Sequence, residues 1–383
     1  MRGSQFCNKM YSKSILEIDL DTIKKNYLKL RELSIAEVGG SVKANCYGLG
    51  ATQISKMLKN EGMSKFFVAN LTEALELKNE LNDVEIFVFS GVFPGEEREF
   101  VNNKIIPVMN NLWQIELLNN FAKNEGIKYP LMIHVETGLN RLSMPVSEVD
   151  QMLLRPELSS NLEIKYIMSH LASSEDETSE LNKIQLKRFN EILSRFKSLG
   201  YKNIKASLAN SGGIMLGKDY HFDIVRSGAA LYGINGSKNS QTDKISAEMR
   251  SFGNPVRLFS PLIHFKEVQK GESLGYNSTY ILKTNRIIGT IVAGYADGIF
   301  RFLSNKGYCY IKGIKVPIVG RVSMDLLNID LTDLPENLVY IGQEVDIISN
   351  DQTPDDLAEH AGTIGYEIIT SLGNRYERIY KTK

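Results

Sequence analysis

The sequence predicts an α/β protein: an N-terminal (β/α)8 TIM barrel followed by a smaller, mostly β domain. From residue 40 to about 233, short runs rich in β-branched residues alternate with segments of helical periodicity, as in a barrel of parallel strands. After Tyr232 the periodicity changes to short strands separated by turn residues. A doubly wound sheet would usually carry a glycine-rich phosphate loop, and the sequence has no GxGxxG pattern. We therefore expect an extension (1–14), a barrel (15–240) and a C-terminal β domain (241–383).

The barrel segment contains eight strand candidates bounded by turn signals. They are residues 42–45, 66–70, 85–89, 105–109, 131–135, 164–168, 204–208 and 222–225. The segments between them repeat apolar residues at helical spacing, beginning with Ile23, Tyr27 and Leu30. Residues 114–124 and 183–196 show the same spacing. Each strand is thus followed by a crossover of helical length.

The C-terminal part begins with a polar stretch, residues 234–258, which predicts a linker with about one helical turn. Short strands and a final helical stretch at 354–372 are expected after it. The strand candidates are 262–268, 287–292, 308–311, 315–319, 326–329 and 345–348.

Composition excludes several classes of function. Lys plus Arg equals Asp plus Glu at 45 each, which argues against nucleic-acid binding. No apolar run approaches the ~20 residues of a membrane helix, and the first 13 residues lack the apolar core of a signal peptide. Met10 would serve as well as Met1 as the first residue of the protein. Three scattered cysteines (Cys7, Cys46, Cys309) without a CxxC or HExxH motif fit a reducing cytoplasm and predict no metal site.

Chemically active residues lie at the ends of five of the predicted barrel strands. Lys43 lies in the last part of strand one, Arg141 and His170 follow strands five and six, and residues 210–213 and 226–229 follow strands seven and eight. Barrel enzymes work at this rim. A partly desolvated lysine loses its proton more easily and can attack a carbonyl to form a Schiff base. The ordinary alternative is a surface lysine that begins a loop.

A phosphate site is expected beside the lysine. The small residues after strands seven and eight let backbone N–H groups and the Ser211 hydroxyl surround a phosphate, although Gly212, Gly213 and Gly228 also suit tight turns. A phosphate together with a reactive lysine is what pyridoxal 5'-phosphate requires. Arg226 could donate to the ring nitrogen, which would weaken the ring as an electron sink. His170 either packs on the ring face or is a structural histidine.

Seven ordered motifs resemble the bacterial alanine racemases, in register from about Ile15 to the C-terminus. They are VKANCYGLG (42–50), TGLNRL (137–142), LANSGG (208–213), VRSGAALYG (225–233), GYNSTY (275–280), GYADG (294–298) and VGRVSMD (319–325). The resemblance implies a fold-type III pyridoxal-phosphate enzyme. It also implies a head-to-tail homodimer with active sites at the interface. The implied reaction is the interconversion of L-alanine and D-alanine, which supplies D-alanine for peptidoglycan.

The resemblance assigns roles by position. Lys43 resembles the Schiff-base lysine and the base for the D-isomer, and Tyr276 of the partner subunit the opposing base for the L-isomer. Inversion needs both, since a proton leaves one face of Cα and another arrives on the opposite face. A phenol needs nearby positive charge to act as a base, which His170 and Arg226 could supply.

The remaining site residues also come from the resemblance. Arg141 and the Met324 backbone N–H correspond to contacts of the substrate carboxylate, and Tyr295 and Asp325 to the substrate entrance. The cofactor set comprises Lys43, Tyr47, His170, Asn210, Ser211, Arg226, Gly228, Ala229 and Tyr366, of which Tyr47, Ser211, Gly228, Ala229 and Tyr366 correspond to phosphate ligands.

One position departs from the pattern. Several family members carry a carbamylated lysine seven positions before the arginine that matches Arg141, and this chain has His134. Histidine forms no such stable carbamate, so another group, such as an anion or Glu136, would hold Arg141. A racemase of broader specificity acting on serine remains open. A related decarboxylase is disfavoured by Arg226, and a barrel-only cofactor carrier by the β domain.

Overall fold

The computed structural model describes residues 13–235 and 244–382. The chain divides into two compact units. One comprises residues 23–253; the other combines the described residues up to Thr22 with those from Asn254 onward. Most of the predicted extension, Cys7 and Met10 included, and the centre of the predicted linker lie outside the described residues.

The first unit is a nearly closed barrel of eight parallel strands. The strands are Glu37–Ser41, Lys65–Val68, Glu85–Val88, Ile106–Met109, Tyr129–His134, Leu162–Met168, Lys205–Ser207 and Ile224–Ser227. Neighbours pair in chain order, and the first strand also pairs with the eighth. Between the seventh and eighth strands, Asp223 N donates to Ala206 O (3.0 Å) and Arg226 N to Ala209 O (2.9 Å). The predicted barrel is therefore confirmed.

Helices cross over between these strands, as the periodicity predicts. Asparagine side chains cap three of them: Asn70, Asn111 and Asn210 each accept a hydrogen bond from the backbone N–H three residues later. One α-helix, Leu20–Leu33, precedes the first barrel strand. The right-handed α-helices after that strand are Ala51–Asn60, Leu71–Glu80, Glu97–Asn103, Leu112–Glu125, Val146–Leu154, Glu180–Ser198, Ser211–Leu216 and Lys244–Arg250.

The first barrel strand was placed wrongly by sequence. It is Glu37–Ser41, not 42–45, and it contains two glycines that lower strand propensity. These glycines are required by packing. A Cβ on Gly39 would come within 2.7 Å of the Phe67 ring, and one on Gly40 within 2.6 Å of Met63 Sδ. The residues expected to be strand instead form a left-handed turn, with φ between 51° and 56° from Ala44 to Tyr47.

An apolar cluster fills the middle of the barrel. It contains Phe67, Phe87, Ile106, Val108, Met132, Tyr166, Met168 and Ile224, all buried. Successive residues of a strand point to opposite sides, so the residue two positions further along faces the interior again. This register determines which side chains reach the rim at the carboxyl ends of the strands.

The second unit is a β structure whose main sheet comprises the strands Ile15–Asp19, Val256–Val268, Arg286–Ile291, Tyr308–Ile311, Ile314–Val319, Leu327–Asp330, Glu344–Ile348 and Glu377–Lys381. A separate two-stranded sheet is formed by Ser273–Leu274 and Tyr280–Ile281. The long strand Val256–Val268 pairs with both Arg286–Ile291 and Glu344–Ile348, which closes a ring of six antiparallel strands. The predicted β unit is confirmed.

Details of this unit differ from the prediction. Its first and last strands, Ile15–Asp19 and Glu377–Lys381, were not expected and pair in parallel. The predicted helix 354–372 is two helices, Pro354–Ala361 and Gly365–Thr370, because Gly362 ends the first with φ +71°. Among the described helices, none is long and apolar enough to span a membrane.

Candidate active site

A polar layer lies above the apolar cluster inside the barrel. Each of its members stands two residues beyond an apolar member of that cluster, within the last residues of its strand or just past its end, and therefore faces the interior near the carboxyl ends of the strands. The polar members are Asn110, His134, His170 and Arg226, which follow Val108, Met132, Met168 and Ile224 respectively. The aromatic Phe89 completes the layer and follows Phe87 in the same way.

Lys43 begins the left-handed turn that follows the first barrel strand. Its Nζ lies 6.0 Å from the centroid of the Phe89 ring, so the side chain points toward the polar layer. The carboxylate of Glu73 fixes the turn by accepting hydrogen bonds from the N–H groups of Ala44 and Ala69, both at 2.8 Å. Burial, and then the charge of Arg141, lower the pKa of Lys43, while Glu73 opposes this. Loss of the proton to give the nucleophilic amine is thus easier than for a solvated lysine.

Arg226 is a buried cation held by neutral acceptors. It donates to Ser207 Oγ (2.5 Å), Ser169 O (2.6 Å) and Leu208 O (3.3 Å), and its Nη2 lies 3.4 Å from His170 Nδ1. Burial lowers the pKa of Arg226 to about 9, which leaves it charged at neutral pH. The guanidinium can therefore offer a hydrogen bond and a positive charge inside the barrel, but no proton acceptor.

His170 is neutral in this arrangement. Burial, and then the charge of Arg226, hold the pKa of His170 well below its ordinary range. We expected positive charge from His170 on the basis of the sequence, and a neutral imidazole supplies none. Among these two residues, only Arg226 carries the charge.

A donor-rich cradle lies after strands seven and eight. Ser211 Oγ accepts from Gly228 N (3.1 Å) and Ala230 N (3.2 Å), so its own proton is available to a ligand or to Ser227. The Tyr47 hydroxyl approaches the same place, because a Cβ on Gly228 would lie 2.5 Å from Tyr47 Oη. Two hydroxyls thus converge, and the two backbone N–H groups orient that of Ser211 as a donor, which suits an anion site.

The loop that carries Arg141 is organised by Glu136. This carboxylate accepts from the N–H groups of Gly138 and Asn140 and from the Ser143 hydroxyl. Its hydrogen bonds therefore stabilise the loop backbone, whereas the sequence argument considered it as a holder of Arg141. The Arg141 side chain is exposed, and its charge lowers the pKa values of three groups in the polar layer and the lysine turn: Lys43, His134 and His170.

The predicted site residues of the β unit also lie on adjoining segments. Gly275, before Tyr276, packs against Arg321, since its Cβ would lie 3.1 Å from Arg321 N. Tyr295 N donates to Ser323 O, and Ala296 N to Met324 O, both at 3.0 Å. Three of the sequence motifs, 275–280, 294–298 and 319–325, therefore form one surface. Tyr276 is 66% exposed and Met324 53% exposed on it.

An ion-pair network anchors this surface. Arg375 bonds both carboxylate oxygens of the buried Asp297 (2.6 and 2.9 Å) and donates to Asp325 at 2.7 Å. Asp325 is thereby fixed beside Met324. The helix that carries Tyr366, Gly365–Thr370, ends close by, where Gly373 N donates to Asp297 O (3.1 Å).

Sequence reasoning missed three contributors: Glu73, Asn110 and Arg375. Asn110 directly follows the fourth strand, so the strand-end rule, applied to strands one and five to eight only, could have found it. Glu73 follows the helix cap Asn70 by three residues, which is a capping signal. Nothing in the linear sequence pairs Arg375 with Asp297, 78 positions away.

Comparisons with known proteins match both parts of the chain to one family. Family models described as the alanine racemase N-terminal and C-terminal domains match residues 18–236 and 256–380. An alanine racemase of Rickettsia conorii is 46% identical over 367 residues, covering 95% of this chain and 98% of the relative.

Solved structures give the same result. An alanine racemase from Bartonella henselae with covalently bound pyridoxal phosphate superposes with a TM-score of 0.89 at 36% identity, covering 96% of this chain and 99% of the other. One from Streptomyces coelicolor A3(2) gives 0.90 at 29% identity, covering 98% and 99%. The resemblance seen in the motifs is confirmed, and the chain belongs to the alanine racemase family.

Proposed function

We propose that this chain interconverts L-alanine and D-alanine with pyridoxal 5'-phosphate, supplying D-alanine for peptidoglycan. One observation carries the proposal. A lysine whose pKa is lowered, a cradle of hydroxyl and N–H groups, and a buried arginine held by serine and backbone oxygens lie at the same rim of the barrel. Membership of the family supports the same reaction.

The residues present fit the cofactor. Ser211, Tyr47 and the N–H groups near Gly228 suit its phosphate, because the missing Cβ of Gly228 is what lets the Tyr47 hydroxyl in. Arg226, bonded otherwise to neutral acceptors, would donate to the ring nitrogen. When bound, the cofactor supplies an aldehyde for the Lys43 amine and a ring that stabilises negative charge at Cα of the substrate.

Lys43 and Tyr276 handle the proton in this proposal. Lys43 takes a proton from, or returns it to, one face of Cα, and Tyr276 Oη does so on the other. Arg141 and the Met324 N–H bind the substrate carboxylate, which fixes Cα between the two bases. Arg226 keeps the ring from becoming a strong electron sink, which favours return of the proton to Cα over other reactions of the same substrate.

We infer a homodimer in which Tyr276 acts in the partner's site. The exposure of Tyr276 (66%), Met324 (53%) and Tyr295 (45%) on one surface of the β unit supports this, since large apolar and aromatic groups clustered there suit an interface. The buried thiols of Cys46 and Cys309 are compatible with a cytoplasmic location.

Cofactor binding tests the proposal first. The purified protein should show the absorbance of bound pyridoxal phosphate, and Lys43→Ala should abolish that colour. Colour that survives this substitution would contradict the role of Lys43. Tyr276→Phe should keep the colour and greatly slow racemisation, and unchanged rates in both directions would contradict the two-base reaction.

Mixing the two inactive variants tests the shared site. Random exchange of Lys43→Ala and Tyr276→Phe chains places both intact residues together in about a quarter of the sites, so activity should return to that extent. If the site lies within one chain, no activity returns on mixing. Assays with L-alanine and with L-serine, each followed by resolution of the enantiomers, decide between a dedicated alanine racemase and one of broader specificity.

A further inference from the structure

Tyr276 lies on a turn of the β unit whose backbone is strained. The turn joins the paired strands Ser273–Leu274 and Tyr280–Ile281. Asn277 and Ser278, directly after Tyr276, have φ values of 60° and 50°, in the left-handed region that side chains other than glycine rarely adopt. Such a conformation persists only where the surrounding contacts hold it. The position of the Tyr276 hydroxyl therefore depends on what the turn packs against.

The base of this turn packs against the segment 319–325, which carries Met324. Leu274 and Val319 are buried in one apolar cluster of the β unit. A Cβ on Gly320 would lie only 3.1 Å from Leu274 O, so the two backbones approach closely at this point. These contacts fix the start of the turn. The far end, beyond the tyrosine, needs other partners.

Asn305 joins the far end of the turn to the same segment. Its Oδ1 accepts a hydrogen bond from Gly320 N (2.6 Å), and its Nδ2 donates one to Thr279 Oγ1 (3.4 Å). Thr279 stands three residues after Tyr276, and Gly320 stands four residues before Met324. One amide group thus contacts both segments that carry predicted site residues of the β unit.

The backbone around Asn305 gives this amide a firm support. Leu303 is buried, and its carbonyl accepts from Gly307 N (2.8 Å), which closes a tight loop around Asn305. Ser304 Oγ accepts from Val322 N (3.0 Å), so the loop is also tied to the segment 319–325. Asn305 itself has a φ of 61°, which asparagine tolerates better than most residues. The loop therefore holds the amide where it can bridge the two segments.

We propose that Asn305 is a positioning residue, whose amide holds the turn of Tyr276 against the segment of Met324 and so sets the phenol relative to the substrate carboxylate. The inference rests on the proposed function, in which Tyr276 takes the proton from L-alanine and the Met324 N–H binds the carboxylate. Asn305 is exposed, so its hydrogen bonds compete with water. Their loss should therefore slow the reaction rather than abolish it.

Two substitutions remove the bridge and a third keeps it. Asn305→Gly preserves the left-handed backbone without the amide, and Thr279→Val removes the hydroxyl partner at nearly constant volume. Asn305→Asp keeps an acceptor for Gly320 N, and its second oxygen can accept from the Thr279 hydroxyl. We expect kcat to fall by about threefold to fivefold in each of the first two variants and no further when they are combined. In Asn305→Asp it should fall by less than about twofold.

Isotope effects distinguish a displaced phenol from a general defect. Tyr276 takes the proton from L-alanine, and Lys43 takes it from D-alanine. In Asn305→Gly, the primary deuterium isotope effect should therefore rise with α-deuterated L-alanine and fall with α-deuterated D-alanine, because only the Tyr276 step becomes slower. Equal changes with the two substrates overturn the inference. A wild-type kcat in Asn305→Gly, or an Asn305→Asp variant as slow as Asn305→Gly, overturns it as well.

Hydrogen exchange examines the turn without the reaction. In the cofactor-loaded protein, mass spectrometry should show the amides of residues 273–281 exchanging about fivefold faster in Asn305→Gly and at nearly the wild-type rate in Asn305→Asp. Unchanged exchange in Asn305→Gly overturns the inference. A wild-type protein that racemises no amino acid would instead refute the proposed function, and the exchange rates would still decide whether the amide holds the turn.

Discussion

Gly228→Ala perturbs the predicted phosphate cradle by a single methyl group. The added Cβ would lie 2.5 Å from Tyr47 Oη and 3.3 Å from its Cζ. Carbon and oxygen atoms in contact stand about 3.3–3.5 Å apart, so the hydroxyl has to withdraw by about 1 Å. That movement disturbs its approach to Ser41 (3.5 Å) and the packing of its ring on Tyr232, whose centroid is 4.8 Å away.

The size of the effect follows from overpacking. Inserting a methylene into a filled site costs about 1–3 kcal/mol. Since about 1.4 kcal/mol corresponds to a factor of ten, affinity for pyridoxal phosphate should fall by about fivefold to a hundredfold if the displaced hydroxyl is a phosphate ligand. The free energy of unfolding of the cofactor-free protein should fall by a similar amount.

A double-mutant cycle separates the collision from other effects of the methyl group. Tyr47→Phe removes the atom at 2.5 Å and leaves the contact at 3.3 Å. Gly228→Ala should therefore cost little unfolding free energy in the Tyr47→Phe background. Urea unfolding and titration with the cofactor, followed by absorbance, measure the four proteins. Additive changes would refute the reasoning, because they would mean that the two side chains do not meet.

Three further changes follow from the charged contacts. Glu73 accepts hydrogen bonds from two backbone N–H groups, and its charge raises the pKa of Lys43. Glu73→Gln removes this charge and weakens the hydrogen bonds that fix the lysine turn. Cofactor release should therefore quicken about tenfold, as measured by stopped-flow absorbance. Asp297→Asn should loosen Arg375, lowering unfolding free energy by about 1–3 kcal/mol in urea. Burial alone would raise the pKa of Glu85, but its hydrogen bonds lower it overall. The ionised Glu85 therefore stabilises the protein at pH 7, and Glu85→Gln should remove this contribution. The difference in unfolding free energy between the two proteins, measured in urea across pH, should vanish as pH falls below the folded-state pKa.

The strands that sequence predicted well share a local signal. Glu85–Val88 and Tyr308–Ile311 are short β-branched or aromatic runs bounded by turn residues, and their boundaries agree with the prediction to within one residue. The strand Ile15–Asp19 carries an equally regular alternation but was missed. Its partners, Val256–Val268 and Glu377–Lys381, lie more than 200 positions away, so nothing local distinguishes it from the start of the following helix.

The candidate site divides in the same way. Lys43, His170 and Arg226 were found because a barrel places the residues after each strand at one rim, and this rule requires only the order of the strands. The protonation of His134 could not be found, since its Nδ1 lies 3.0 Å from Oδ1 of Asn110, an amide whose own orientation is set by two backbone carbonyls. Positions follow from topology, whereas protonation states follow from contacts between distant residues.

The first barrel strand, whose position was predicted wrongly, contains Gly39. Gly39→Ala tests whether packing or strand propensity determines the residue at this position. By propensity alone alanine is better than glycine in a strand interior, so the substitution would stabilise the protein slightly. The structure predicts the opposite: the added Cβ would lie 2.7 Å from the Phe67 ring and 3.2 Å from Lys65 O, and a backbone oxygen in a sheet cannot move aside. We expect the free energy of unfolding to fall by about 1–3 kcal/mol. Phe67→Leu in the same background should recover part of this loss, because it removes the ring atom but not the backbone contact. An increase in stability for Gly39→Ala would mean that the close approach of these two strands is not what places glycine there.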